Sequence, residues 1–149
     1  MSAADRSTWM EHLPTERCWE LLASTPVGRL GVLVNSAPEI YPVNHQVVEG
    51  SIVFRTDAGG KLHGLERSPA VCFEVDGYRG THHEGWSVLV KGRAELLIDP
   101  VDRRTAEALD LAPWGLGPKP HWVRIVPAEV TGRRIHTSAA VRSRTRRIP

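Results

Sequence analysis

The sequence has few cysteines and aromatic residues, and it lacks a long hydrophobic run. Cys18 and Cys72 are the only cysteines among 149 residues, too few for a disulfide framework and without the CxxC spacing of a metal or redox site. Both have apolar neighbours, which predicts two small buried side chains and not reactive thiols. No apolar stretch approaches the ~20 residues that span a bilayer, and the N-terminus lacks a signal-peptide core. We therefore expect a cytoplasmic protein with no membrane partner.

The net charge of +2 is unevenly distributed. Residues 141–149 contain four arginines and no acid, so without them 19 − 4 = 15 basic residues face 17 acidic ones. The remaining body has a net charge of −2, which makes nucleic acid an improbable partner for it. We predict that residues 138–149 form a basic, disordered tail, since they show no apolar periodicity.

The chain is long enough for one domain and too short for two ordinary ones. Residues 1–13 are predicted to be an N-terminal arm, and residues 14–137 the folded domain. A helix is predicted to begin near Thr15, the expected N-cap, and to end before Pro26. Its apolar face would contain Cys18, Trp19 and Leu22.

The following sequence alternates with the two-residue period of β-strands. Strands are predicted over residues 27–34, 39–48, 51–55, 70–75, 86–98, 121–126 and 130–135. Residues 77–85 are predicted to be a loop, and Gly92 to mark a bulge. Pro42 is expected at an edge or bulge because it cannot donate to a ladder. Short helices are predicted over 61–67 and from Asp99, a capping residue followed by proline, to about residue 111. This pattern predicts a small, mainly β barrel of the α+β type, although alternation alone does not exclude a sandwich.

Residues 54–62 contain the clearest binding signal. A strand ends, two glycines follow, and a helix begins at Lys61. Such a junction offers unpaired N–H groups and a positive helix end, to which Arg55, Thr56 and Lys61 add donors. The spacing is not that of a nucleoside-triphosphatase loop, and a solvated glycine-rich turn is the alternative explanation.

Six segments in order resemble the flavin-binding split-barrel superfamily of pyridoxamine-phosphate-oxidase-like proteins, in particular the branch with nitroimidazole-resistance reductases. The segments are Val-Gly-Arg-Leu from Val27, Tyr-Pro-Val-Asn from Tyr41, Ile-Val-Phe from Ile52, Gly-Lys-Leu from Gly60, Val-Cys-Phe-Glu-Val-Asp from Val71 and Trp-Ser-Val-Leu-Val-Lys-Gly-Arg-Ala from Trp86. The resemblance implies a six- to seven-stranded antiparallel split barrel with short flanking helices. It also implies a homodimer that holds FMN between its subunits.

The resemblance also implies roles for individual residues. The strand beside the flavin ring would be Tyr41, Pro42, Val43 and Asn44. The phosphate and ribityl chain would be held by Arg55, Thr56 and Lys61. Contacts from the partner subunit would come from Trp86, Ser87 and Val88, and Trp122 would lie near the same rim.

Two departures from the family pattern bear on the chemistry. Many relatives in the nitroimidazole branch have histidine where this chain has Arg55. The C-terminus also lacks the arginine-and-histidine pattern that binds substrate in true pyridoxamine-phosphate oxidases, although Arg133 and Arg134 lie nearby. A flavin-dependent oxidoreductase acting on a small conjugated substrate is the leading hypothesis. The alternatives are a deazaflavin-dependent reductase and a non-catalytic flavin- or haem-binding module.

No residue stands out as a catalytic acid, base or nucleophile. His45 follows the proposed flavin strand and is the one candidate catalytic residue, with a structural barrel histidine as the alternative. The pair His82-His83 has no third ligand at convincing spacing, so no metal site is predicted. Any chemistry would therefore come from the cofactor, which the protein binds and orients.

Overall fold

A computed structural model describes residues 9–80, 83–109 and 119–136. The chain forms, in order, β1 (Trp9–His12), α1 (Thr15–Ser24), β2 (Val27–Val34), β3 (Ala37–Val48), β4 (Ser51–Thr56), α2 (Gly60–Arg67), β5 (Ala70–Arg79), β6 (Glu84–Leu96), α3 (Pro100–Glu107) and β7 (His121–His136). The strand order is β1-β7-β4-β3-β2-β5-β6, all neighbours are antiparallel, and β6 also pairs with β7. This last pairing closes the sheet, which confirms the predicted split barrel.

Tight turns fix the register of the first three barrel strands. Asn35 and Ser36 join β2 to β3, and Glu49 and Gly50 join β3 to β4, all four with positive φ. Two-residue turns of this kind match the twist of antiparallel strands. At Pro42, β3 is paired with β2 but not with β4, whose ladder begins at His45. The predicted edge position of Pro42 is therefore confirmed.

The core lies inside the barrel and is closed at one side by α1. Leu30, Phe54, Phe73 and Val88 are fully buried there. Helix α1 adds Cys18, Leu21 and Leu22 to this core. A second cluster, of Val53, Leu97, Ala106 and Trp122, packs α3 against the outside of β4 and β7. Asp99 caps α3 as predicted, by accepting hydrogen bonds from the amides of Val101 and Asp102.

Three predicted element boundaries are wrong. Residues 121–136 form one continuous strand, because Pro127 pairs opposite the bulge at Gly92 and does not interrupt the ladder. The predicted loop over 77–85 is mostly strand, since Gly77 pairs with Trp86 and is covered by its indole. Helix α1 is preceded by Pro14 at the N-cap, without a side-chain cap, and Thr15 is already helical.

Two further expectations differ from the structure. The last residues of the predicted arm form β1, which pairs with residues 133–136 of β7 although all four of its side chains are exposed. Cys18 is buried as predicted, but Cys72 is exposed. The alternation of β5 explains this, because Val71 and Phe73 point into the core and Cys72 points outward. The tail, residues 138–149, lies outside the described residues.

No helix in the described part of the chain is long and apolar enough to cross a membrane.

Candidate functional site

The end of β4 and the start of α2 form the junction that the sequence analysis singled out. Strand β4 ends at Thr56, and α2 begins at Gly60 after Gly59 at the N-cap. Neither a capping side chain nor an acidic residue occupies the first turn of α2. Apart from the chain neighbours and the helix backbone, no atom lies within 4 Å of the position that a Cβ on Gly60 would take. The start of α2 therefore has open space beside Gly60, at the positive end of the helix dipole and with no side-chain cap for its first amides.

Lys61 lies in this first turn and is half-buried. Its Nζ is 5.3 Å from the centre of the Tyr41 ring, which connects α2 to β3. Burial lowers the pKa of Lys61, Asp57 opposes this effect, and the nearby charge of Lys119 adds to it. Burial destabilises the charged form of the Lys61 side chain, and a nearby negative charge stabilises it. This site therefore favours an anion.

Lys119 and Asp57 complete the charge arrangement. Lys119 Nζ lies 2.8 Å from Asp57 Oδ2, and this contact is the main cause that lowers the pKa of Asp57. Arg55 Nε donates to the backbone carbonyl of Lys119 over 3.1 Å. The Arg55 guanidinium carbon also lies 5.0 Å from the centre of the Trp122 ring. Two lysines thus act on the Asp57 carboxylate, and Arg55 is bonded to the backbone of one of them. We call Arg55, Asp57, Lys61 and Lys119 the basic cluster.

The remaining residues predicted for this side of the site are less accessible. The side chain of Thr56 is 1% exposed, and its hydroxyl donates to the carbonyl of Asp57. Val43 is buried in the core, whereas Pro42 is exposed and Asn44 is half-buried. The Tyr41 hydroxyl hydrogen-bonds to Glu39, which raises the pKa of Tyr41. Tyr41 thus connects β3 to the basic cluster through its ring contact with Lys61.

The residues predicted to contact the partner subunit's cofactor belong to β6 and pair with the far end of β7. Arg55 pairs with Trp122, whereas Trp86 pairs with Arg134, twelve residues farther along β7. At ~3.3 Å per residue, this corresponds to about 40 Å of strand. Ser87 points outward and is half-buried, and Trp86 packs partly against the core. The side chain of Val88 is fully buried in its own barrel, so it cannot line a surface between subunits as predicted.

His45 occupies a structural position. It is 4% exposed, and its Nε2 lies 2.8 Å from the backbone carbonyl of Leu22. Because a carbonyl only accepts, Nε2 carries the proton. The ring meets Phe73 edge-on at 4.8 Å between centres, and burial lowers the pKa of His45. The structure thus supports the structural alternative for this residue over the catalytic one.

Two members of the basic cluster, Asp57 and Lys119, were not identified from the sequence. Asp57 lies within the glycine-rich turn, and its ion pair with Lys119 accounts for an acid beside an anion site. Lys119 is 62 residues away and reaches the cluster only because β7 pairs with β4. No group of three histidine, cysteine, aspartate or glutamate side chains in the described ranges could hold a metal ion, and His82 lies outside them.

Comparison with known proteins assigns the chain to a family. The family model described as pyridoxamine 5'-phosphate oxidase matches residues 14–134. The chain belongs to the pyridoxamine 5'-phosphate oxidase family. The predicted resemblance is therefore confirmed, and the match ends near the last residue of β7.

Members of the family with known structures share this fold. A Corynebacterium glutamicum protein named for the same oxidase is 34% identical, with a TM-score of 0.76 over 86% of this chain and 99% of that one. The FAD-binding protein of Mycobacterium smegmatis is 35% identical, with a TM-score of 0.69 over 87% of this chain and 98% of that one. An uncharacterised Mycobacterium tuberculosis protein is 36% identical over 128 residues, which cover 83% of this chain and 84% of the relative.

Proposed function

We propose that this protein is a flavin-dependent oxidoreductase that binds FMN and acts on a small conjugated substrate. The observation that carries the proposal is the basic cluster beside the uncapped start of α2. Amide donors, a helix dipole and three cations are the groups that hold a phosphate. The family membership and the FAD-binding relative support a flavin as the molecule that carries it.

The residues of the site have separate tasks in this proposal. Lys61 and Arg55 bind the phosphate, and Lys119 is held in place by Asp57 beside them. The Tyr41 ring fixes the position of Lys61 and gives an apolar surface for the ribityl chain or ring. Bound flavin supplies hydride transfer between a reduced donor, such as a nicotinamide, and the substrate, while the protein binds and orients both.

The site is shared between two subunits in this proposal. Trp86 and Ser87 are separated from the basic cluster by about 40 Å measured along β7, which favours a flavin held between two chains over one held along a single chain. A homodimer would bring Ser87 of one subunit toward Arg55 and Lys61 of the other and create two equivalent sites.

The purified protein provides the first test. A two-band flavin spectrum, with release of FMN identified by mass, is the expected result. Release of FAD would support a flavoprotein but show that FAD, and not FMN, is the bound flavin. A single violet band would indicate a deazaflavin, a sharp Soret band a haem-binding module, and a colourless protein that binds none of these would contradict the proposal.

A variant tests the phosphate site directly. Lys61→Ala should weaken FMN binding about 5- to 150-fold. This corresponds to the loss of one charge-assisted hydrogen bond, about 1–3 kcal/mol. Riboflavin has no phosphate, so its binding should change much less. Arg67→Ala, at the far end of α2, is the matched control and should leave FMN binding unchanged. Equal losses for FMN and riboflavin would show that Lys61 supports the fold and not the phosphate.

A further inference from the structure

A cavity lies at the end of the barrel away from the basic cluster, between α1 and the ends of β5, β6 and β7. It has a volume of about 200 Å³. Leu13, Leu21 and Trp86 form its apolar walls, and Arg17, Arg79 and Arg134 contribute three guanidinium groups. The basic cluster shares no residue with this cavity. We call it the arginine pocket.

The charges of the arginine pocket occupy the core-facing side of the sheet. Along β6, residues 84, 86, 88 and 90 alternate onto one face, and Val88 and Val90 are fully buried. Glu84 and Trp86 continue this face, and Arg134 pairs with Trp86. These charges lie at the solvent end of that face, where Arg79 is exposed and Arg134 and Glu84 are half-buried. The guanidinium groups can therefore be reached by a ligand from solvent while Trp86 covers the apolar side.

The cations exceed the acids within the pocket. Arg134 Nε lies 2.5 Å from Glu84 Oε1, and this contact is the main cause that lowers the pKa of Glu84. Arg17 pairs with Glu20 on the surface of α1 over 2.8 Å. The charge of Arg79 also lowers the pKa of Glu84, but from a greater distance. Among the described residues, Arg79 has no ion pair within 4.0 Å. The Arg79 guanidinium is therefore available to a ligand.

Helix α1 and the residue before it form one wall of the pocket, which is open on its solvent side. Gly132, opposite Val88 on β7, is buried, and a Cβ there would lie 2.5 Å from Cys18 Sγ. The absence of a side chain at Gly132 lets α1 approach the sheet closely. Leu13, just before α1, is held by its amide, which donates to the Gly132 carbonyl over 2.9 Å.

We propose that the arginine pocket binds a small organic carboxylate, with its apolar body against Trp86 and its carboxylate on Arg79 and Arg134. The planar guanidinium fork matches a carboxylate, and the aromatic and leucine walls match an apolar body. A volume of about 200 Å³ suits a small organic anion, for which benzoate is the probe. This site shares no residue with the basic cluster. Trp86 is common to it and to the contacts proposed with the partner's flavin, whereas Arg79 and Arg134 belong to this site alone.

Calorimetric titration of the full-length protein with benzoate tests the proposal. Arg79→Gln keeps the Arg134–Glu84 pair and should weaken benzoate binding about tenfold or more. Arg134→Gln should do the same. Arg93→Gln removes the same charge from an exposed position of β6 and should have no effect. Lys61→Ala should also leave benzoate binding unchanged, while Arg79→Gln should leave FMN binding unchanged.

Inorganic phosphate is the second probe, because guanidinium groups bind it as well. Phosphate should bind more weakly than benzoate, and Trp86→Phe should weaken benzoate more than phosphate. The proposal is wrong if benzoate shows no saturable binding, if Arg79→Gln leaves its affinity unchanged, or if Lys61→Ala abolishes it. In the last case the anion would be bound by the basic cluster.

Discussion

Leu89 and Val88 are neighbours on β6 that test the proposed dimer in opposite ways. Val88 is fully buried in the barrel core, whereas Leu89 points outward and is half-buried beside Ser87. If the outward face is the seam between subunits, an aspartate at position 89 buries a charge there opposite Glu74 on β5. The nearby Arg29 is already paired with Glu74 and Asp76. The change would cost the dimer about 3–5 kcal/mol, or more than about a hundredfold in dissociation constant.

The same change should affect the isolated subunit much less. An aspartate opposite Glu74 on a solvated face costs less than about 1 kcal/mol, since burial raises the pKa of Glu74 to about 7 and Arg29 lies beside it. Val88→Ala removes two buried methyl groups, which corresponds to about 1.6 kcal/mol of lost transfer energy at ~0.8 kcal/mol per group, before any cavity cost. Leu89→Asp should therefore give a folded monomer with weak flavin binding, and Val88→Ala a less stable protein that still forms the dimer.

Sedimentation with excess FMN and urea unfolding measure the two quantities separately. A Leu89→Asp protein that remains dimeric and binds FMN as the wild type does would refute the outward face of β6 as the seam. A folded Leu89→Asp monomer that binds FMN with unchanged affinity would refute the shared site itself.

Three further predictions concern the fold and the tail. Burial lowers the pKa of His45, so the free energy of unfolding of the wild type should fall as the pH drops below about 6.5. Urea unfolding between pH 7 and 5 should show a smaller fall in this free energy for His45→Gln. Gly28→Ala would place a Cβ 2.1 Å from the buried ring of Phe73 and should cost about 1–3 kcal/mol in urea unfolding, whereas Gly31→Ala meets an exposed thiol that can rotate and should cost less than about 1 kcal/mol. Deletion of residues 141–149 should leave sedimentation and FMN affinity nearly unchanged, and an apo or monomeric product would contradict this.

The alternation of apolar and polar side chains was sufficient to predict most of the barrel strands, because one face of each strand is buried and the other is not. It failed where pairing does not depend on burial. All four side chains of β1 are exposed, so nothing in their sequence indicates that they pair with β7. Pro127 and Gly77 resemble breaks, yet the bulge at Gly92 accommodates the first and the Trp86 indole covers the second.

Part of the candidate site was also predictable. Arg55 and Lys61 follow from a strand, two glycines and a helix in close succession, which is a local pattern. Lys119 depends on the pairing of β4 with β7, and no local signal reveals it. The resemblance implied partner contacts for both Ser87 and Val88, but the alternation of β6 places Val88 in the barrel core and leaves Ser87 and Leu89 for the outward face.

The position of β7 at the end of the described chain has a consequence for folding during synthesis. This strand pairs with β1, β4 and β6, so all three strands have an open edge until residues 121–136 leave the ribosome. Open edges can pair with other chains, and non-local pairing is slow. Nascent chains that stop before β7 should therefore aggregate, and the barrel should form in a late, single step once its last strand is available.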